Sequence, residues 1–317
     1  VGSLRVFLLR AALGLLRRVE RHPQRARAVA IGTLALVLVL GRGCVPAPLT
    51  LATYNLRHFG AEPKDQGKLR ASVGGLGADL VAVQEVRDPA ALDRLASELS
   101  GLRRAYQAVS SGCGGRRGMH VGFLYDTRRM TLLQTREFRE LLPEEGGCSE
   151  GDRPGLLGVF EADGQPLHAL VVHLKAGGSD GDFRERKAQY ERLQRLLGLL
   201  RAEGARRVVL LGDLNTTGFL GNERRERELV EALARGGGLE VATTPLRCTE
   251  YYRKDERTME PSLLDHALVS EGALEPGSVE VHSHCRELAC APRAPGAMPP
   301  SYAGVSDHCP VTLRLLR

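Results

Sequence analysis

Eight short apolar runs of strand length, most of them closed by a polar residue, constrain this chain more than any other feature of its sequence. They lie at 49–54 (LTLATY), 79–83 (DLVAV), 120–125 (HVGFLY), 156–161 (LLGVFE), 166–172 (PLHALVV), 207–211 (RVVLL), 264–269 (LLDHAL) and 310–315 (PVTLRL). Helical periodicity interrupts them at 65–76, 88–100, 182–203 and 222–235. The third helix is the clearest, with Phe183, Tyr190, Leu193, Leu197 and Leu200 on one stripe among Arg, Glu and Gln. The pattern is mixed α/β, and the strand-rich stretch 120–173, with no helix inside it, argues against a wholly parallel doubly wound sheet.

The net charge of +6 suggests a polyanion-binding surface until it is divided along the chain. Residues 1–44 hold eight arginines and one glutamate, which leaves 36 basic against 37 acidic residues in 45–317. The body is nearly neutral, so overall basicity says nothing about its substrate. The arginines precede a charge-free stretch at 28–41 (AVAIGTLALVLVLG), the pattern of an export signal, and that stretch is too short for a comfortable membrane span. The expected organisation is a leader at 1–44 and one domain at 45–317. A cleaved signal, an uncleaved anchor and a lipid anchor at Cys44 all fit the leader, so the protein is expected in the cell envelope or outside the cell. Six further cysteines fit an oxidising compartment. A Cys113–Cys148 bridge and a local Cys285–Cys290 bridge are plausible, while Cys309, between a polar motif and the last strand, reads as a buried thiol.

Polar residues recur where strands end: Asn55, Gln84 and Glu85, His173, then Gly212, Asp213 and Asn215, with Asp265 and His266 in one strand and Ser306, Asp307 and His308 before the last. Singly, each is an ordinary turn residue or a satisfied side chain. Together they matter more, because strand ends of a packed α/β core can converge on one rim. Carboxylates and amides on such a rim suit Mg²⁺, and histidines supply proton transfer, a combination that points to metal-assisted phosphate ester hydrolysis.

Asn55 in TYNLRHF, Glu85 in VQEVRD, His173 in VVHLKAG, Asp213 and Asn215 in GDLN, Asp265 in LLDHALVS, and Asp307 and His308 in SDHCPV resemble the endonuclease/exonuclease/phosphatase superfamily. The resemblance implies a four-layer α/β sandwich of two face-to-face mixed β-sheets with helices outside. It also implies Mg²⁺ or Mn²⁺ held by Glu85 with Asn55 and Asp307. His308 is then the general base, oriented by Asp265, and His173 binds a phosphate oxygen or protonates the leaving group. Asp213 and Asn215 orient the nucleophile and the phosphoryl oxygens. His266 should point to the opposite face and stays outside the site.

Within the superfamily, Leu264-Asp265-His266 departs from the Cys-Asp-Arg of the inositol polyphosphate phosphatases, and His173 departs from the abasic-site endonucleases. VQEVRD is similar to deoxyribonuclease I, in which the Arg corresponding to Arg87 contacts DNA. Arg116 and Arg117 are further candidates for phosphate contact, and Lys175, Arg186 and Gln189 are similar to a pattern in exported bacterial members. The acidic residue that orients the deoxyribonuclease I histidine is missing, with Gly118 and Met119 near that point. A sphingomyelinase-like lipid phosphodiesterase is the second reading, although its exposed aromatic hairpin has no counterpart beyond Tyr251 and Tyr252 in a chain without Trp. A catalytically inactive, tethered binding module ranks third, since no motif residue is lost. Nucleic acid is the expected substrate, the leader or an acylated Cys44 the route to a membrane, and no obligate protein partner is expected.

Overall fold

Alternating strands and amphipathic helices resolve into two six-stranded sheets in a computed structural model, which describes residues 47–142, 148, 153–217 and 225–316. The leader and Cys44 lie outside the described residues. The first sheet is built from β1 (Leu49–Phe59), β2 (Leu80–Val86), β3 (Tyr106–Ser110), β4 (His120–Asp126), β13 (Glu280–Val281) and β14 (Val311–Leu315), in the order β13-β14-β1-β2-β4-β3. The second takes β5 (Met130–Phe138), β6 (Gly155–Ala162), β7 (Gln165–His173), β8 (Val208–Asp213), β9 (Leu239–Val241) and β12 (Asp265–Ser270), in the order β5-β6-β7-β8-β12-β9. Each sheet has one parallel pair at its centre, β1 with β2 and β7 with β8, and is antiparallel elsewhere.

Helices cover the outer faces. Against the first sheet pack α1 (Gln66–Gly74), started by the Asp65 cap, and α2 (Pro89–Leu99), started by Asp88 with proline in its first turn. They bury Leu69, Val73, Leu92 and Leu95 against Tyr54, Val81, Val83 and Leu124. Against the second sheet pack α3 (Asp180–Ala202), opened by a Ser179/Asp182 capping box, and α4 (Arg225–Gly237). Between the sheets, Leu51, Ala82, Phe123, Phe160, Val171, Leu211, Ala267 and Leu313 form a continuous core. That is the four-layer sandwich, and the alternation of each strand decides which side chains enter which layer.

All eight expected strands and four helices are present. The strands β3, β5, β9 and β13 and the hairpin of β10 (Glu250–Arg253) with β11 (Met259–Ser262) were not anticipated. β5 is mostly exposed, so it shows no apolar run. Two short helices, α5 (Ser283–Glu287) and α6 (Pro300–Gly304), complete the approach to β14. No helix among the described residues is long and apolar enough to cross a membrane.

The Cys113–Cys148 bridge is present. The other pairings correct the sequence reading: Cys248 bonds Cys290 and Cys285 bonds Cys309, so Cys285 and Cys290 do not pair and Cys309 is no thiol. Both bridges lie in a small apolar cluster with Tyr251, Met259 and Leu288, which the chain reaches from three separate segments. Three disulfides belong to a protein matured in an oxidising compartment, and two of them cross-link segments within 248–309.

Candidate active site

The ends of β1, β2, β7, β8 and β12 and the turn before β14 meet on one rim. Asn55 sits where β1 departs from regular pairing, followed by Arg57 and His58 at positive φ. Its amide nitrogen donates to Asp213 Oδ2 at 3.0 Å and Glu85 Oε1 at 3.2 Å, so Asn55 holds two carboxylates from opposite sheets. Glu85 itself has φ 59°, a conformation that costs a non-glycine residue energy and is retained where it aims a functional group. The glycine of GDLN is required by packing: a Cβ at Gly212 would lie 2.0 Å from Val172 O.

Two imidazoles flank one carboxylate oxygen. His173 Nε2 lies 3.4 Å and His308 Nε2 3.8 Å from Asp213 Oδ2. His308 Nδ1 lies 2.8 Å from Asp265 Oδ2, and the backbone N–H of Asp265 is pinned by Thr249 Oγ1 at 2.9 Å. Burial by itself would lower the His308 pKa, but Asp265, Asp213 and Asp307 carry it well above the ordinary value. His173 goes the other way, held neutral by complete burial and by the charges of Arg153, His308 and His58. Burial pushes Asp213 up to about 7, against the pull of His308.

The manner in which His173 is held answers the missing acidic residue. Its Nδ1 has no hydrogen-bond partner among the described residues, and Arg153 donates to the His173 carbonyl at 3.0 Å and the Leu174 carbonyl at 3.0 Å. An arginine fixes the backbone of this histidine where a carboxylate would have fixed its ring. His173 therefore presents a neutral Nε2–H toward the rim, a hydrogen-bond donor more than a proton donor.

The other sequence candidates are distributed as follows. Asn215 donates from its backbone N–H to Asp213 Oδ1 at 2.9 Å and from its amide to Leu174 O at 3.0 Å, which positions Asp213 and the chain after His173. Asp307 is partly exposed with Arg57 Nη1 at 3.6 Å from its Oδ2. Arg87 and Arg116 are exposed, and neither is hydrogen-bonded or ion-paired through its side chain to another described residue. Lys175 turns to Asp182 at 2.6 Å, so its charge is spent on the start of α3. Arg186 and Gln189 bind the backbone of Lys175 to Gly177. His266 lies on the far face as expected, its ring between Thr216 and Thr243.

Sequence reasoning missed Arg57, His58, Arg153 and Glu250. His58 lies within TYNLRHF, and its backbone N–H and Nε2 are 3.1 and 3.3 Å from Glu85 Oε2. Arg153 stands in a loop with no pattern to mark it. Glu250 begins β10, bridged in the backbone to His308, and burial pushes its pKa up to about 8.

The residues fit a hard divalent cation. Glu85, Asp213, Glu250, Asp265 and Asp307 gather at the rim, and the raised pKa values of Asp213 and Glu250 express carboxylates buried with too little positive charge. Asp213, Asp265 and His308 bring ligand atoms within 4.8 Å of one another; His284, Cys285 and Cys309 also do so, but their two sulfurs are bonded to each other.

A family model, the endonuclease/exonuclease/phosphatase family, matches residues 52–308. The chain belongs to that family. Its fold is that of hydrolytic phosphoesterases, and solved structures at low identity share it. The mannosyl-6-phosphatase of Bacteroides thetaiotaomicron is 18% identical with TM-score 0.55, covering 85% of this chain and 100% of its own. The human Nocturnin catalytic domain with bound sulfate is 18% identical with TM-score 0.56, over 85% and 94%. D. rerio TDP2 complexed with single-strand DNA product is 16% identical with TM-score 0.60, over 86% and 100%. No curated protein matches the sequence.

Burial also makes the rim's surroundings sensitive to acid. His266 is pushed down to about 3, so the unfolded chain binds a proton there that the folded chain refuses below about pH 6.5, and this share of stability is lost as pH falls. The destabilisation caused by His266→Gln should therefore shrink by on the order of 2 kcal/mol between pH 7 and 4.5. Denaturant titrations of both proteins at the two pH values measure it, since every other group titrates in both; an unchanged difference would mean that His266 is charged in the fold.

Proposed function

We propose that this family member is a divalent-metal-dependent phosphodiesterase, and specifically an exported deoxyribonuclease I-like endonuclease that hydrolyses nucleic acid. The observation that carries the reading is the pair of imidazoles facing each other across Asp213, one neutral and one bound to Asp265. Such a pair can serve a phosphate from two sides. His308 takes the proton of the attacking water at Nε2, and Asp265 stabilises the imidazolium that forms. Asp213, held by Asn55 and by the backbone of Asn215, orients that water. His173 gives its Nε2–H to a phosphoryl oxygen as charge builds there. A divalent cation held by Glu85 and Asp307, beside Asn55, would polarise the phosphoryl group and offset the carboxylate field that keeps His308 protonated. Exposed Arg87 and Arg116, unpaired among the described residues, support an extended polyanion as substrate.

Purified protein incubated with plasmid DNA, single-stranded RNA and sphingomyelin vesicles, each with Mg²⁺, with Mn²⁺ and with EDTA, tests the proposal. Metal-dependent nicking of plasmid is expected, and the near-neutral charge of the body predicts a shallow salt slope of about −2 to −3 for binding. Turnover of vesicles with silence on both nucleic acids would move the enzyme to lipid substrates.

A further inference from the structure

Asp265 and His308 come from opposite sheets. Asp265 opens β12 in the second sheet, and His308 stands in the turn that leads into β14 of the first. Their 2.8 Å contact therefore depends on how the two sheets are held together at this point, since ladder hydrogen bonds run only between strands of one sheet. The side chains do little to fix it. Among the described residues the buried Asp265 Oδ1 has no hydrogen-bond partner, so the carboxylate is placed by His308 and by its own backbone.

That backbone is held by Thr249, a fully buried residue just before β10. Its Oγ1 accepts the N–H of Asp265 at 2.9 Å and that of Leu264 at 3.1 Å. Its carbonyl accepts the N–H of Cys309, the residue after His308, at 2.7 Å. One residue thus grips the chain at Asp265 through its side chain and the chain at His308 through its main chain. The next two residues extend the grip: Glu250 is bridged in the backbone to His308, and the Tyr251 N–H donates to Asp307 O at 3.1 Å. Thr249 is itself fixed, because its N–H donates to Ser262 O at 2.7 Å and the disulfides of Cys248 and Cys309 lie on either side of it. Position 249 needs an acceptor. Two N–H groups converge on it where no solvent reaches, and a side chain without an oxygen leaves both unpaired.

We infer that Thr249 is the positioning residue of the Asp265–His308 pair, and that its hydroxyl sets the distance between carboxylate and imidazole across the two sheets. This rests on the reading of His308 as general base and deepens it. Thr249 is too deeply buried to touch substrate, so it acts through the pair alone. A displacement of about 1 Å in such a pair is enough to cost on the order of a hundredfold in rate.

Two variants of the full chain test the inference: Thr249→Val keeps the shape and removes the acceptor, and Thr249→Ser keeps the acceptor. On plasmid, kcat of the Val variant should fall about thirtyfold at unchanged KM, while the Ser variant stays within about threefold of wild type. Proton NMR without divalent cation reads the pair directly and needs no turnover. The downfield resonance of the His308 Nδ1–H bound to Asp265, assigned by its absence in His308→Gln, should persist in the Ser variant and be lost or move upfield in the Val variant. Thr249→Ala, which admits water to the two N–H groups, carries the same expectation if the Val variant does not fold. An unchanged resonance in the Val or Ala variant overturns the inference, whatever happens to the rate, and so does an equal loss of rate in the Ser variant. The expected NMR changes in a protein that hydrolyses no nucleic acid would sink the proposed activity and leave the positioning role standing.

Discussion

Replacing His308 with glutamine lowers kcat by about three orders of magnitude while the protein remains folded. Glutamine keeps a donor that can reach Asp265 Oδ2, which the wild-type ring contacts at 2.8 Å, so the buried carboxylate is not stranded. What is lost is the imidazole that is bound to Asp265 on one side and faces Asp213 Oδ2 on the other. Asp265→Asn should cost less, about two orders of magnitude, because His308 survives but its charged form loses its stabilising partner. Steady-state rates on plasmid, with circular dichroism to confirm folding, measure both effects. Activity of His308→Gln within tenfold of wild type would remove His308 from the chemistry.

Arg186→Leu destabilises the protein by about 3–5 kcal/mol, because it strands a charge where there is no water to receive it. Arg186 is 1% and Glu226 2% exposed; the guanidinium binds Glu226 Oε1 through Nε at 3.2 Å and again through Nη2. Its Nη1 donates to the carbonyls of Lys175 and Gly177 at 2.9 and 2.7 Å, so one side chain joins α3, α4 and the loop that follows His173. Leucine at both 186 and 226 should recover most of the loss, since the pair is then replaced by apolar contact. Urea unfolding of the two single variants and the double variant gives the coupling. A double variant as unstable as Arg186→Leu would show that the loop contacts, and not the stranded charge, dominate.

The two histidines were legible in different degrees. VVHLKAG and SDHCPV mark positions 173 and 308 in the sequence, because a polar residue ending an apolar run has few structural reasons to be there. That one is held neutral and the other charged is not local information. It depends on Arg153 approaching from a distant loop and on three carboxylates surrounding His308. Lys175 teaches the reverse: its motif suggests a phosphate contact, but Asp182, seven residues on, has taken the charge.

Strand-length runs and helical stripes are short-range patterns, and from them the sequence by itself determined a mixed α/β domain with polar residues at its strand ends; the two face-to-face sheets followed from the resemblance those residues carry, and Arg57, His58, Arg153 and Glu250 were not legible. Pairing of Cys248 with Cys290 and of Cys285 with Cys309 and the protonation of the rim were decided only by the tertiary structure. The reason is physical. A repeating pattern of side chains specifies which face a residue takes within its own element, whereas sulfur-to-sulfur distance, desolvation and the sum of nearby charges depend on segments that meet in space after long separation in the chain.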